Sequence, residues 1–532
     1  MFFPFGLFAV VAVLIGGFWS WLGAPVAMPP SPLAAGEKLY CISYAPFRDD
    51  QNPLRPETMV SAQQIDEDLA RLAQVTDCVR SYSIEHGLDQ IPGIAARHGL
   101  KVMQGIWLSS HPERNRTQIE TVVDLVRRYP ETIRSVVVGN EVLLRGEMSA
   151  IDLAATIRAV KARVSVPVTY ADVWEFWLRN RDLYAAVDFV TVHILPYWED
   201  FPIGASRAAA HVEAIRKEVA AAFPEKEIVI GETGWPSAGR MREGALPSPS
   251  NQARVLHEIL GVAKRNAYHV NLIEAFDQPW KRRLEGTVGG HWGLLDATNR
   301  MRKFTWGEPL SDHPHWRLQA LGGMALAAAV FVGAWFAGGA DRRVQRRWLW
   351  IAAIALAGGT FIGWSTEKAY LEALGLGGSI RSLALLATAI AAPLVAAPAV
   401  IRGIALPRLA ALLAGQGDVL PPLSRALGYV FVAAAVLALQ SALGLVFDPR
   451  YRDFPFASLT AAAVPLAIVA WRRRGEDAPG TAEKAAAAVL ALCVIYIIPN
   501  ESPANWQALW LAATLVLLIS ALLAPPGAQS SK

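Results

Sequence analysis

The 532-residue chain contains only three cysteines, which excludes a disulfide-rich scaffold. Cys493 stands in an Ala/Leu/Val-rich stretch and reads as inert. Cys41 and Cys78 could pair outside the cytoplasm, but two buried thiols are the plainer expectation. No Cys/His group has zinc-ligand spacing, so neither a metal nor a cofactor is expected. An excess of one charge is also lacking. Fifty Lys and Arg against 46 Asp and Glu leave a net +4 with no basic stripe, which argues against a nucleic-acid partner. The start of the chain has no Lys or Arg ahead of its first apolar run, unlike the charged start of a secretory signal.

Hydrophobic residues are abundant. They make up 53% of the chain, with a mean hydropathy of +0.28, and they are unevenly spread. Residues 25–315 carry charges throughout and suit water. Residues 316–524 carry charges only in short clusters and suit lipid. The N-terminal "FFPFGLFAVVAVLIGGFWSWL" is roughly 21 residues long, enough to cross about 30 Å of hydrocarbon. It is expected to be an uncleaved anchor over 1–24, followed by a Pro/Ala-rich linker over 25–38. About seven further spans are expected, near 317–338, 348–364, 381–401, 425–447, 456–471, 485–499 and 505–524, with 485–499 the shortest. Basic residues cluster in alternate loops: Arg342, Arg343, Arg346 and Arg347; then Arg402, Arg408 and Arg425; then Arg472, Arg473, Arg474 and Lys484. The positive-inside rule puts these loops and the 525–532 tail in the cytoplasm, and the 39–315 domain on the periplasmic side of an inner membrane. No acid or lysine lies deep in a span, which weakens an ion-coupled transporter reading. Membrane lipid is an expected partner.

Within 39–315, short apolar runs alternate with amphipathic stretches. The runs are "LYCISYA", "DCVRSYS", "LKVMQGIWL", "RSVVVGNE", "VPVTYAD", "VDFVTVHIL", "EIVIGE" and "VNLIEAFD". Eight strands alternating with helices over about 280 residues predict a (β/α)8 TIM barrel, followed by an all-α polytopic transmembrane domain. A doubly wound sheet is disfavoured because no Gly-rich phosphate turn follows the first strand. A barrel works at the C-terminal ends of its strands. The fourth strand ends in Asn140 and Glu141, and the seventh in Glu232, on opposite sides of the mouth. Two carboxyls facing each other across a cleft are what glycosidic-bond cleavage needs, one as acid and one ionised. Arg80 and Tyr82 alternate with Val79 and Ser81, so both could point into the mouth. Arg80 would pair with either Glu232 or Asp77. Tyr44, Tyr197, Trp198, Trp235, Glu274, Asp277, Trp280 and Lys281 stand at or just beyond strand ends and are candidate sugar contacts, because aromatic faces and paired polar groups suit sugars.

"VVVGNE", "IGETGWPSAG" and "IEAFDQPWK" with "EGTVGGHWGLLD" resemble glycoside hydrolase family 17, over about residues 39–300. This family contains β-1,3-glucanases and β-1,3-glucanosyltransferases. The resemblance implies that Glu232 is the nucleophile and Glu141 the general acid/base. It also implies that Asn140 binds the sugar 2-hydroxyl, with Trp280 and Lys281 in a family motif. Gln278 departs from the acid usual in fungal transferases. Membrane-attached bacterial members resemble proteins implicated in making β-1,3/β-1,6-linked glucans. That implies remodelling or β-1,6 branching of a β-glucan, with a glucan synthase or export protein as a candidate partner. No sugar-nucleotide transferase signature is present. Hydrolysis by an endo-β-1,3-glucanase is the alternative outcome, and a glucan-binding or export-coupling membrane protein is the alternative of another class.

Overall fold

A computed structural model describes residues 2–48, 50–339, 343–472 and 478–525. Arg342, Arg473, Arg474 and tail residues 526–532 lie outside them. The chain forms two compact units: Ala27–Ala238 with Gly244–Leu310, and a helical unit made of the residues up to Val26, Gly239–Glu243 and those from Ser311 on.

The first unit is a closed barrel of eight parallel strands in sequence order. They are β1 (Cys41–Ser43), β2 (Cys78–Arg80), β3 (Lys101–Ile106), β4 (Ile133–Asn140), β5 (Val168–Val173), β6 (Val190–His193), β7 (Ile228–Thr233) and β8 (Val270–Leu272). The ring closes where Ile42 of β1 faces Leu272 of β8. β-branched runs such as Val136–Val138 and Ile228–Ile230 are buried, because strands of such a barrel have the interior on one side and helices on the other. Polar caps start the helices. Ser61, Ser149 and Ser248 each accept a hydrogen bond from the backbone N–H three residues on, and so open the helices Ala62–Leu72, Ala150–Lys161 and Pro249–Arg265.

Cys41 and Cys78 form a disulfide, which corrects the expectation of two thiols. The cause is register. Ile42 faces Val79 across the β1–β2 ladder, so the residues one step earlier also face each other, with Cα atoms 4.3 Å apart. Cys493 is a buried free thiol.

Among the described residues of the helical unit, six helices are long and apolar enough to cross a membrane: Phe3–Leu22, Trp316–Ala337, Gln345–Glu372, Gly375–Arg402, Pro422–Phe447 and Thr481–Glu501. Phe456–Arg472 and Trp506–Leu522 are apolar but shorter, at 17 residues each. The stretch expected to be shortest, 485–499, therefore belongs to a full-length helix of 21 residues, because polar Thr481–Lys484 and Asn500–Glu501 continue it at both ends. Helices Trp316–Ala337 and Gln345–Glu372 meet at glycines: a Cβ on Gly323 would fall 2.2 Å from the Gly359 carbonyl oxygen. The acids and lysines of these helices lie within six residues of the helix ends. Lys368 pairs with Glu372 at 3.5 Å, and Glu483 accepts from the Ala410 N–H at 3.4 Å. In Gly239–Glu243, Arg240 pairs with Glu501, and the Met241 N–H donates to Gln507 at 2.9 Å.

Candidate active site

Two unusual backbone conformations place the first carboxyl, that of Glu141. At the end of β4, Gly139 has φ +90° and Glu141 has φ +52°, a left-handed conformation that is costly for a side chain with a Cβ. It is held by the Glu141 N–H donating to Ala171 O at 2.8 Å, and by Arg145 N–H donating to Glu141 O at 2.9 Å. Glu141 is thereby turned out of the strand into the mouth. Glu232 needs no such turn. It lies within β7, faces His193 of β6 in register, and is 5% exposed.

The groups around the two acids differ. Arg80 NH1 donates to Glu232 Oε1 at 3.0 Å and to the Gly231 carbonyl at 2.8 Å, while NH2 donates to Asn140 Oδ1 at 2.5 Å. The Tyr82 hydroxyl lies 2.8 Å from both Glu232 Oε1 and Ser43 Oγ. Burial alone would favour neutral Glu232, but the Arg80 guanidinium, the Tyr82 hydroxyl and the Lys281 ammonium hold its carboxyl below the usual range. Burial, and then the Glu232 charge, push the Tyr82 phenol well up. Glu141 is more open, with 24% of its side chain exposed, and its Oε1 is 2.9 Å from His193 Nδ1. One oxygen of Glu141 and one of Glu232 lie within 4.8 Å of each other.

Just past β8, Glu274 binds Lys281 Nζ at 2.9 and 3.0 Å. Burial pushes the Glu274 carboxyl up to about 7 against the pull of Lys281. Burial works against the Lys281 charge as well, but Glu274 and Glu285 hold the ammonium above its ordinary range. Trp280 is half-buried, and its indole N–H donates to Gln278 Oε1 at 2.8 Å. Gln278, the residue that departs from the fungal pattern, thus orients an aromatic ring. Trp198 is half-buried and stacks with Trp292 at 6.4 Å.

Asn140, Arg80, Tyr82, Glu274 and Lys281 therefore gather around the two acids. Arg80 pairs with Glu232, and Asp77 instead lies 4.0 Å from Lys38. Four candidates are corrected. Tyr44, Tyr197 and Trp235 are at most 1% exposed and offer a sugar no surface. The Tyr44 hydroxyl turns to Asp68 at 3.2 Å, and the Trp235 indole N–H donates to Leu246 O at 3.1 Å. Asp277 accepts from the Gly293 N–H and Lys303 at 2.8 Å each, which ties the loop after β8 to the barrel. His193 was missed as a site residue. Its signal is alternation in "VTVHI", where Thr191 and His193 are polar partners on one strand face. Glu141, His193 and Glu232 offer three donor atoms close together. However, Arg80 lies 3.0 Å from Glu232 and 3.4 Å from His193 Nε2, so a fixed cation already faces these groups, and we assign no metal there.

Residues 41–293 match the family model of the BtgE/BtgC glycoside hydrolase domain. The barrel is a glycoside hydrolase domain of this family. The chain is accordingly an enzyme acting on glycosidic bonds. Curated relatives include a glucan 1,3-beta-glucosidase of Saccharomyces cerevisiae, 25% identical over 276 residues that make up 46% of this chain and 85% of that protein. One from Candida albicans is 26% identical, over 44% of this chain and 83% of that protein. Similar solved structures include a family 17 beta-1,3-glucanosyltransferase of Rhizomucor miehei, at 24% identity and TM-score 0.45, covering 50% of this chain and 97% of that one. An endo-laminarinase from Formosa Hel1_33_131 has 20% identity and TM-score 0.44, covering 52% and 92%.

Proposed function

We propose that this glycoside hydrolase is a membrane-anchored β-1,3-glucan enzyme that retains configuration by double displacement, and that its main outcome is glucanosyl transfer. In the first step Glu232 attacks the anomeric carbon, the glycosidic bond breaks, and Glu141 gives its proton to the leaving oxygen. In the second step an acceptor hydroxyl attacks the same carbon, its proton passes to Glu141, and the Glu232 ester bond breaks. The observation that carries this reading is that one oxygen of Glu141 and one of Glu232 lie within 4.8 Å of each other. Retaining pairs stand about 5–5.5 Å apart, whereas inverting pairs stand about 6.5–9.5 Å apart to admit a water. The contrast in environment supports the roles. Glu232 is buried against a guanidinium and kept ionised, while Glu141 is more open and able to exchange protons.

A β-1,3-glucan substrate is supported by the glucan 1,3-beta-glucosidase relatives. Periplasmic placement is supported by the Cys41–Cys78 disulfide, which needs an oxidising compartment, and by the basic loops opposite. Tethering at a membrane favours chain remodelling or β-1,6 branching over release of small sugars. The test is incubation of the detergent-solubilised protein with linear β-1,3-gluco-oligosaccharides beside Glu232→Gln. Products longer than the input are expected. Shorter products alone would make it an endo-β-1,3-glucanase, and unchanged input in both samples would make the barrel a glucan receptor.

A further inference from the structure

His193 is fully buried at the end of β6, between the two acids. Its Nδ1 is 2.9 Å from Glu141 Oε1. Its Nε2 is 3.4 Å from Arg80 NH1 and 3.7 Å from Glu232 Oε1. These distances decide which ring nitrogen carries the proton. A guanidinium has donors and no acceptor. A proton on Nε2 would therefore point at Arg80 and find only Glu232, beyond hydrogen-bond length. NH1 already spends its hydrogens on the Gly231 carbonyl and Glu232. A neutral ring thus holds its proton on Nδ1 and donates it to Glu141 Oε1, while a doubly protonated ring would set a second cation against Arg80.

We propose that His193 is a positioning residue that fixes which oxygen of Glu141 exchanges the catalytic proton. The proposal rests on the reading of Glu141 as acid/base. With Oε1 held as acceptor of Nδ1–H, the acid proton of Glu141 is carried on Oε2. In the first step that proton leaves Oε2 for the glycosidic oxygen, and the new carboxylate keeps the Nδ1–H bond. In the second step Oε2 takes the proton of the acceptor hydroxyl. His193 itself gains and loses nothing. The other groups near the pair are Arg80 from β2 with Tyr82 beyond it, Tyr170 and Asp172 from β5, Arg145 after β4, Glu232 from β7, and Glu274 with Lys281 after β8. Tyr170 and Asp172 are bonded to each other, Arg145 binds Glu147 at 2.9 Å, and Lys281 binds Glu274, so none of these replaces Nδ1–H at Oε1. The left-handed turn at Glu141 makes the device necessary. The residue has left the strand ladder, and 24% of its side chain is exposed, so it needs a partner to hold one orientation.

The test uses the full-length protein in detergent, with His193→Ala and His193→Asn, whose amide places a donor near Nδ1. Turnover of laminari-oligosaccharides should fall about 10- to 100-fold in the alanine variant and recover most of this in the asparagine variant. On a 2,4-dinitrophenyl β-laminarioside, whose leaving group needs no proton, glycosylation should stay within about threefold of wild type. Glycosyl-enzyme should then accumulate, and azide, which attacks the anomeric carbon without giving up a proton, should discharge it as glycosyl azide. Equal losses on both substrates without azide rescue would mean a merely structural role and would overturn the inference. A measurement on the wild type stands apart from any variant's folding. The ring 15N shifts of His193 should report Nδ1–H, and Nε2–H would refute the proposal. Wild-type protein inert toward every β-1,3-glucan would instead defeat the functional reading, whatever the tautomer.

Discussion

Arg80→Met removes the guanidinium that pairs with Glu232 while keeping an unbranched side chain in the same space. Its NH1 lies 3.0 Å from Glu232 Oε1, and the side chains of both residues are more than nine-tenths buried. At an effective dielectric of about 20, opposite charges at that distance attract by about 5 kcal/mol. Breaking a buried pair by deleting one partner costs about 3–5 kcal/mol. The Met variant should lose about that much stability at pH 7. The sign of the pH dependence follows from the folded-state carboxyl of Glu232 lying below its ordinary value. Its contribution is complete above the unfolded value and disappears as pH falls through the folded one. The gap between wild type and variant should therefore be full at pH 7 and should close on acidification, because a protonated Glu232 needs no counter-charge. Denaturant unfolding at several pH values measures the gap. The pH profile of kcat/KM on laminari-oligosaccharides should show the acid limb moving upward in the variant. A gap independent of pH together with an unmoved limb would refute the claim that Arg80 keeps Glu232 ionised.

Replacing Cys41 and Cys78 by Ser should cost about 4 kcal/mol by loop entropy for their separation of 37 residues, read as a lower Tm of the oxidised wild type's mutant counterpart and as no further change on adding reductant to it. Glu274, pushed up to about 7, binds its proton more tightly folded than unfolded, so its ionisation subtracts about 3 kcal/mol of stability as pH rises from 4.5 to 7. Glu274→Gln should flatten that part of the stability profile in calorimetry. Gln278→Glu, which restores the acid of the fungal pattern, places a charge where the amide donates to Ala45 O at 2.8 Å. It should cost about 1–3 kcal/mol in stability, and it should raise KM for oligosaccharides more than it lowers kcat by displacing Trp280.

The alternation of apolar runs with amphipathic stretches made the barrel legible, because inward and outward faces of each βα unit impose their own periods. The placement of Glu141 and Glu232 was legible for a related reason: a carboxyl at the end of an apolar strand has no packing role. Arg80 was legible only as a choice between Asp77 and Glu232, since strand alternation gives the face but not the partner across the barrel. Tyr44, Tyr197 and Trp235 were misread because an aromatic at a strand end suits a sugar or a core equally, and only burial separates the two. His193 sits in the same kind of pattern as Arg80 and passed unnoticed, because its alternation with Thr191 in "VTVHI" marks a strand face and no spacing motif surrounds it. The disulfide depended on β1–β2 register, which composition does not carry. Helix lengths in the apolar half were misjudged where polar residues such as Thr481 and Asn500 prolong a helix beyond its hydrophobic stretch.

The most direct measurement uses a 2-deoxy-2-fluoro β-laminarioside with a dinitrophenyl leaving group, followed by peptide mass mapping. The fluorine slows both steps and the leaving group restores the first, so a glycosyl-enzyme accumulates. A stoichiometric adduct on the peptide carrying Glu232, absent from Glu232→Gln, is the predicted result. An adduct on another residue, or turnover of laminari-oligosaccharides with inverted products and no adduct, would contradict the two-carboxyl account.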